Sequence, residues 1–225
     1  MHESLRRMRS SPRRTGTTLD AFRLNALVTQ IAFAGRRSRV YRRLTALSGT
    51  RPGDQVLDVG CSSGYLVRLL AASAGPSGAV TGLDPSAAAI AYARRRGPAN
   101  AAFRTGVAQD LSAFPDASFD VVTSTLAVHH LPARKREAAF REMYRVTRPG
   151  GRLLVADFDP SGRVLPLHRG AARMQQAAAS TGPLEELAAQ AGYQIGARGT
   201  LPLLRYVVAA RPRAGDVHPA TSPVR

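Results

Sequence analysis

The stretch Val56-Leu57-Asp58-Val59-Gly60-Cys61-Ser62-Ser63-Gly64-Tyr65-Leu66 constrains the fold more than any other part of the chain. It reads as a buried strand, a glycine-rich turn and the start of a helix. Gly60 and Gly64 withhold side chains where backbone must come close to a ligand, and the turn opens onto a helix end whose free N–H groups point outward. Such a unit holds a nucleotide-like cofactor when an acidic residue closes the next strand. Val80-Thr81-Gly82-Leu83-Asp84-Pro85 is that strand, and Asp84 stands twenty residues after Gly64, where a carboxylate can grip two ribose hydroxyls.

The glycine spacing separates cofactor classes. A dinucleotide site would read G-x-G-x-x-G, with a pyrophosphate on the helix end; this turn reads D-x-G-x-x-x-G. Further along, Ser118-Phe119-Asp120-Val121-Val122-Thr123-Ser124 reads as a fourth strand, and Arg148-Pro149-Gly150-Gly151 turns into the apolar Arg152-Leu153-Leu154-Val155-Ala156-Asp157. From Gly60 to about Arg211 these signals resemble the class I S-adenosylmethionine-dependent methyltransferases, in the branch of ubiquinone and menaquinone biosynthesis and natural-product O-methyltransferases. The resemblance implies an α/β, Rossmann-like, seven-stranded, mostly parallel sheet with helices on both faces. It implies S-adenosyl-L-methionine as cofactor, S-adenosyl-L-homocysteine as product, no metal, and a small-molecule methyl acceptor as partner.

Periodicity supports the same order independently. Strands are expected at 54–59, 78–83, 100–105, 118–124 and 152–158, with helices at 63–74, 86–96 and 133–147, and alternation means a parallel sheet covered on both faces. Ser86 is a fair N-cap, Gly97 a fair stop for the second of these helices, and Pro149-Gly150-Gly151 a stop for the third. After Thr181 a short helix runs to Ala191. Tyr193–Arg198 and Leu203–Ala210 are so close in sequence that they pair antiparallel, a C-terminal hairpin that argues against an ordinary dehydrogenase.

Ahead of the first strand, Leu19 to Ala34 and Arg39 to Leu47 carry apolar residues at helical spacing; in the family such helices roof the substrate pocket. The expected organisation is a basic tail over 1–18, pocket-covering helices over 19–50, a core over 51–211 with a substrate-side excursion at 159–182, and a tail over 212–225. Low apolar content makes both tails candidates for disorder. The 225 residues, 44% hydrophobic, suffice for one large core.

Net charge is +17, and eleven arginines against Glu3 and Asp20 leave nine of those charges in residues 1–50. A basic arm suits nucleic acid or an anionic surface, but Lys135 is the only lysine beside 31 arginines, a bias that points to coding composition. Nucleic acid is further disfavoured because base-amino methyltransferases carry an Asn/Asp-Pro-Pro-Tyr-like tetrapeptide after strand four, where this chain has Thr123-Ser124-Thr125-Leu126. No apolar run spans a membrane and no signal peptide opens the chain, so a cytoplasmic location is expected. The lone Cys61 excludes an internal disulfide, a multi-cysteine metal site and the several thiols of an arsenite methyltransferase. A homodimer is compatible with the sequence.

The family match places the cofactor at the strand carboxyl ends. Asp58, Gly60, Cys61, Ser62 and Gly64 would border the methionine part, Asp84 and Pro85 the ribose, and Ala108 and Gln109 the adenine, with Thr125 and Leu126 closing the methionine side. Close relatives read Gly-Asp-Ala before the adenine; Gly106-Val107-Ala108 lacks that carboxylate, leaving backbone, Gln109 or Asp110 to compensate. The candidate catalytic residues are His129, His130 and Asp157. An imidazole can take a hydroxyl proton and a carboxylate can fix its tautomer, and sugar O-methyltransferases resembling this chain use a His pair with an Asp in the Ala156-Asp157-Phe158 context. One histidine at most serves as base, with His130 favoured by its nearness to the helix beyond Pro132. O-methylation is the leading reading. Carbon or nitrogen acceptors, or a cofactor-binding relative without transfer, are the alternatives.

Overall fold

The computed structural model describes residues 36–159, 183–213 and 215–216. The expected helix at 19–34, the tails and nearly all of the 159–182 excursion lie outside them. Helix α1 (Arg37–Ser48) forms because Val40, Tyr41, Leu44 and Ser48 fall on one face and are buried, and it ends at Gly49, which takes the left-handed conformation at φ 65°. Then follow β1 (Gln55–Val59), α2 (Tyr65–Ala74), β2 (Ala79–Asp84), α3 (Ala87–Arg94), β3 (Ala101–Thr105) and β4 (Phe119–Thr125). A 3₁₀ turn (Val128–His130), α4 (Ala133–Val146), β5 (Thr147–Phe158), α5 (Leu184–Gln190), β6 (Gln194–Leu201) and β7 (Leu204–Ala210) complete the chain.

The seven strands lie in the order β3-β2-β1-β4-β5-β7-β6. The first five are parallel, and β7 runs antiparallel to both β5 and β6. Alternation along each strand divides the core into two layers. Val56, Val80, Val121 and Leu154 pack against α1, α2 and α3 through Leu44, Leu70 and Ile90. Leu57, Val122, Leu153 and Val155 pack against α4 and α5 through Phe140, Met143 and Leu184. Each such buried Leu, Ile or Phe contributes about 1.5–3 kcal/mol relative to an exposed one, so the sheet is fixed from both sides.

Two expected stops differ. Ser86 does cap α3, its Oγ accepting from Ala89 N–H at 3.2 Å, but the helix ends at Arg94 rather than running to Gly97. Arg94 donates Nε and Nη2 to the Phe103 carbonyl at 3.2 and 2.8 Å, which fastens that end to β3. Gly97 serves packing instead, because a Cβ there would sit 2.5 Å from the Phe103 ring. Likewise α4 stops at Val146, three residues before Pro149, and Arg148-Pro149-Gly150-Gly151 forms an irregular stretch inside β5: Phe119 of β4 pairs with Thr147, yet Val121 pairs with Arg152. Arg211 Nη1 donates to the carbonyls of Tyr144, Arg145 and Thr147 at 2.9, 3.0 and 2.7 Å, so the end of β7 supplies the cap that α4 lacks.

Candidate active site

In a parallel sheet a ligand binds beyond the carboxyl ends of the strands, where the strand order reverses. Here the reversal lies between β1 and β4, and a cavity of about 630 Å³ opens there. One end is built by the turn after β1. Gly60, at φ +82°, cannot be replaced without collision, since a Cβ would meet the Ala127 Cβ at 2.4 Å. The N–H groups of Gly60 and Cys61 both donate to the Leu83 carbonyl, at 2.8 and 2.9 Å, tying the turn to β2. Ser62, a non-glycine residue at φ 47°, then donates its N–H to Asp84 Oδ2 at 2.8 Å, while Ser86 N–H reaches Oδ1 at 2.9 Å. The strained turn and the acid that closes β2 are therefore one hydrogen-bonded unit.

Asp58 lines the same end and is only 2% exposed. Its one side-chain donor is Thr123 Oγ1, at 2.7 Å. Burial dominates that bond and pushes the carboxyl up to about 7, with Asp84 adding to the rise. An acid so short of donors fits a cationic ligand group, which would restore its charged form. These residues therefore fit a sulfonium cofactor with an ammonium group.

The opposite wall carries the histidines. Leu126 takes φ +56° and donates its N–H to the Ala156 carbonyl at 2.8 Å, turning the chain sharply after β4 into the 3₁₀ turn. Arg136 Nε pins the far side of that turn through the Leu131 carbonyl at 3.0 Å. The turn places His129 on Asp157. His129 Nδ1 lies 2.6 Å from Asp157 Oδ1, and the His129 backbone N–H donates to Oδ2 at 2.9 Å. Phe158 N–H donates to Oδ1 at 2.8 Å. Asp157 is fully buried and the His129 side chain is 8% exposed, so the carboxylate fixes both backbone and ring of one residue. His130 makes no hydrogen bond to Asp157; its exposed ring is tilted by 44° against that of His129, with centroids 3.9 Å apart. Burial and the neighbouring His129 hold the His130 imidazole below its ordinary range. Sequence favoured His130, whereas the oriented ring is His129.

Asp58, Gly60, Cys61, Ser62, Asp84, Pro85, Ala108, Gln109, Thr125, Leu126, His129 and His130 all border the cavity. Gly64 does not; a Cβ there would strike Phe103 at 2.7 Å, so its glycine serves the packing of α2 on the sheet. Asp157 stands behind His129 rather than on the wall. Cys61 has its thiol turned to Gly82 in the core, where burial pushes it up and leaves it unreactive. At the adenine end Val107 is 37% exposed, and Asp110 spends a carboxylate oxygen on Ser112 N–H at 3.1 Å. Of the two candidate replacements, Gln109 therefore borders the cavity and Asp110 does not. Arg37, Tyr41, Tyr65, Lys135 and Phe158 also line it, and sequence reasoning assigned none of them a role. Only the helical spacing of Tyr41 on the buried face of α1 signalled any of them.

Residues 56–151 match the family model of a methyltransferase domain. Over those residues the chain is similar to methyltransferases. Across 138 residues it is 39% identical to the ubiquinone/menaquinone biosynthesis C-methyltransferase UbiE of Ectopseudomonas mendocina, covering 59% of this chain and 53% of that protein. It is 37% identical over 132 residues to the demethylmenaquinone methyltransferase of Symbiobacterium thermophilum, covering 56% and 51%. The chain thus spans about half the length of the curated relatives it matches. A SAM-dependent methyltransferase structure from Aquifex aeolicus superposes with a TM-score of 0.64 over 83% of this chain and 97% of that one, at 18% identity, which is a likeness of fold. Among the described residues, no group of three or more His, Cys, Asp or Glu side chains could hold a metal ion, and no helix is long and apolar enough to cross a membrane.

Proposed function

We propose that the chain transfers a methyl group from S-adenosylmethionine to a hydroxyl of a small molecule, with His129 as general base and Asp157 as the residue that positions it. The observation that carries this is His129 on the cavity wall, held from behind by Asp157 at 2.6 Å. Bound along Asp58, Ser62 and Asp84, the cofactor supplies a methyl group already activated on sulfur. What remains for the chain is alignment, exclusion of water and removal of a proton. Asp157 keeps the proton of neutral His129 on Nδ1, which leaves the Nε2 lone pair to take the proton of the acceptor hydroxyl. General-base assistance of this kind is worth about 10²–10⁴ in rate. Phe158, with its ring centroid 4.9 Å from that of His129, closes the side of the imidazole against solvent.

A second reading, methylation at carbon, is favoured by the name of one relative, a ubiquinone/menaquinone biosynthesis C-methyltransferase. It asks the same of His129, because ionising a hydroxyl on an aromatic ring also raises electron density at the neighbouring ring carbon. Neither reading requires a metal or a second copy of the chain, and both take a small-molecule partner. The test has two stages. Isothermal calorimetry with S-adenosylhomocysteine should give saturable binding; none would mark a relative that has lost the pocket. His129→Ala should then abolish most turnover with that affinity retained, and His130→Ala should cost far less. Full turnover by both variants on a hydroxyl acceptor would remove the base assignment.

A further inference from the structure

The helices on the two sides of the sheet present opposite surfaces. Through α1, α2 and α3 and their flanking segments, residues 36–53, 60–78 and 85–100, there are ten arginines and no Asp or Glu. Most of them are exposed: Arg36, Arg39, Arg42 and Arg43 along α1, Arg51 just beyond it, and the run 94–96 at the end of α3. Among the described residues none of the ten forms an ion pair. The acids that border these segments are already committed, Asp54 to Arg152 at 2.8 Å and Asp84 to the N–H groups of Ser62 and Ser86. On the other side, α4 and α5 hold four glutamates against five basic residues, and Arg141 and Arg145 are tied to Glu137, Glu142 and Asp116 at 3.6, 2.8 and 2.6 Å. Coding composition favours arginine over lysine, but it does not sort the acids to one side of a sheet. Residues 1–35 add six arginines against Glu3 and Asp20, so the chain leading into α1 has the same sign.

The charges run across all three helices. The Arg37 guanidinium carbon lies 4.3 Å from the centroid of the Tyr65 ring and that of Arg68 lies 5.6 Å from it, while Arg96 and Arg95 stand 4.2 and 5.9 Å from the Tyr92 ring. Burial lowers the partly buried Arg68 guanidinium from its ordinary value, and the positive charges of Arg37 and Arg96 push the same way. Like charges gathered without counter-charge repel, and an anionic surface relieves that repulsion. A nucleic-acid strand gains affinity by stacking its bases on open aromatic rings, whereas the rings of Tyr65 and Tyr92 are engaged by guanidinium groups and Tyr41 is buried. A lipid surface asks only for cations spread over an area, which three helices covering one side of a sheet provide. We infer that the α1–α2–α3 side of the protein docks on an anionic lipid surface, its exposed arginines bonding headgroup phosphates through their forked N–H groups. Val107, beyond β3, is the one large apolar side chain exposed among the described residues, so the docking is superficial and reversible rather than an insertion. Arg37 and Tyr41 also line the cavity, and α1 therefore brings the cavity up against the lipid whatever the acceptor is.

The experiment is sedimentation of the full chain with large unilamellar vesicles, one set of phosphatidylcholine alone and one holding about 30% phosphatidylglycerol, on which each basic residue near the surface is worth about fivefold in affinity. The native chain should pellet with the anionic set only and be released as salt rises from about 0.1 to 0.5 M. Arg39→Gln, Arg42→Gln and Arg43→Gln, made together, remove three exposed, unpaired charges and keep good helix formers in α1. Partitioning should weaken about 10- to 100-fold, with the circular dichroism and thermal midpoint of the native chain retained. The opposite side gives the control: Arg134→Gln with Arg141→Gln on α4 should change partitioning less than about threefold. Equal weakening by the two variants would make net charge rather than this side of the molecule the cause, and would overturn the inference. Unchanged binding by the triple variant would move the contact to residues 1–35 and overturn it as well. Native binding to phosphatidylcholine alone, or to neither set, removes its electrostatic basis. A chain that leaves the vesicles in solution yet binds a single-stranded RNA of about 20 nucleotides at the same salt would give the surface to nucleic acid instead.

Discussion

Asp58 at the end of β1 and Asp157 at the end of β5 are both buried carboxylates on the cavity side of the same sheet, yet their surroundings are opposite. Asp58 has one side-chain donor, Thr123, and burial holds it up to about 7. Asp157 receives two backbone N–H groups and a histidine ring. The difference separates two uses of a buried acid. One left short of donors gains most when a ligand brings a positive charge, whereas one fully supplied from within the protein gains nothing from a ligand and instead holds a neighbour in place.

The sharpest way to break this comparison is Asp157→Asn, which is nearly isosteric but can present only one acceptor oxygen to His129. Turnover on the acceptor should fall about 10²–10⁴-fold, with S-adenosylhomocysteine affinity retained and a changed His129 tautomer visible in ¹⁵N imidazole shifts. An unchanged tautomer would mean that Asp157 is merely structural. Next in size, Asp84→Ala should weaken S-adenosylhomocysteine about 10- to 100-fold, because it removes a charged acceptor and leaves Ser62 N–H unpaired; calorimetry checks it, and unchanged affinity would remove the ribose assignment.

The third test concerns protons. A raised carboxylate pKa means that the folded, empty protein holds a proton that the unfolded chain releases near pH 4. Asp58 therefore costs stability as pH rises from about 4 to 7, and a cationic ligand must compete with that proton below about 7. Affinity for S-adenosylhomocysteine should fall by up to about tenfold per pH unit below 7 and level off above it, with proton release seen as a buffer-dependent binding enthalpy. Asp58→Asn should flatten both the stability and the affinity profile; a flat profile in the native chain would contradict the account. The smallest effect is expected from Val107→Asp, which restores the acid that close relatives carry before the adenine. A gain of about 2- to 10-fold in affinity corresponds to one added hydrogen bond, and no gain would mean that Gln109 already does this work.

While the seven-stranded sheet came with the family resemblance, the succession of strands and helices along the chain was legible because it follows from hydrophobic alternation and one glycine turn, signals that repeat along the chain and are insensitive to a residue or two. The C-terminal hairpin was legible for the same reason. Helix ends were less so: α3 stops at Arg94 because that arginine bonds the Phe103 carbonyl across the structure, and Gly97 is glycine for the sake of Phe103 rather than of the helix. Such contacts have no local signature. Adjacent histidines are likewise beyond sequence, since a single residue of advance along a 3₁₀ turn decides which ring meets Asp157. Arg37 was silent among 31 arginines, and nothing in the sequence announces that α1 brings Tyr41 against Tyr65.

Asp157 sits on an interior strand. In the register of β5, Ala156 is paired with Thr125 of β4 on one side, and Asp157 itself lies opposite Arg205 of β7 on the other. The carboxylate that positions the base is therefore anchored in the most constrained part of the molecule, while α1, which borders the cavity, hangs on the sheet from outside. Substitutions on α1 can reshape the cavity without moving that carboxylate. That division of labour gives such a scaffold its evolvability: one fixed chemistry can be passed from acceptor to acceptor by changing walls alone.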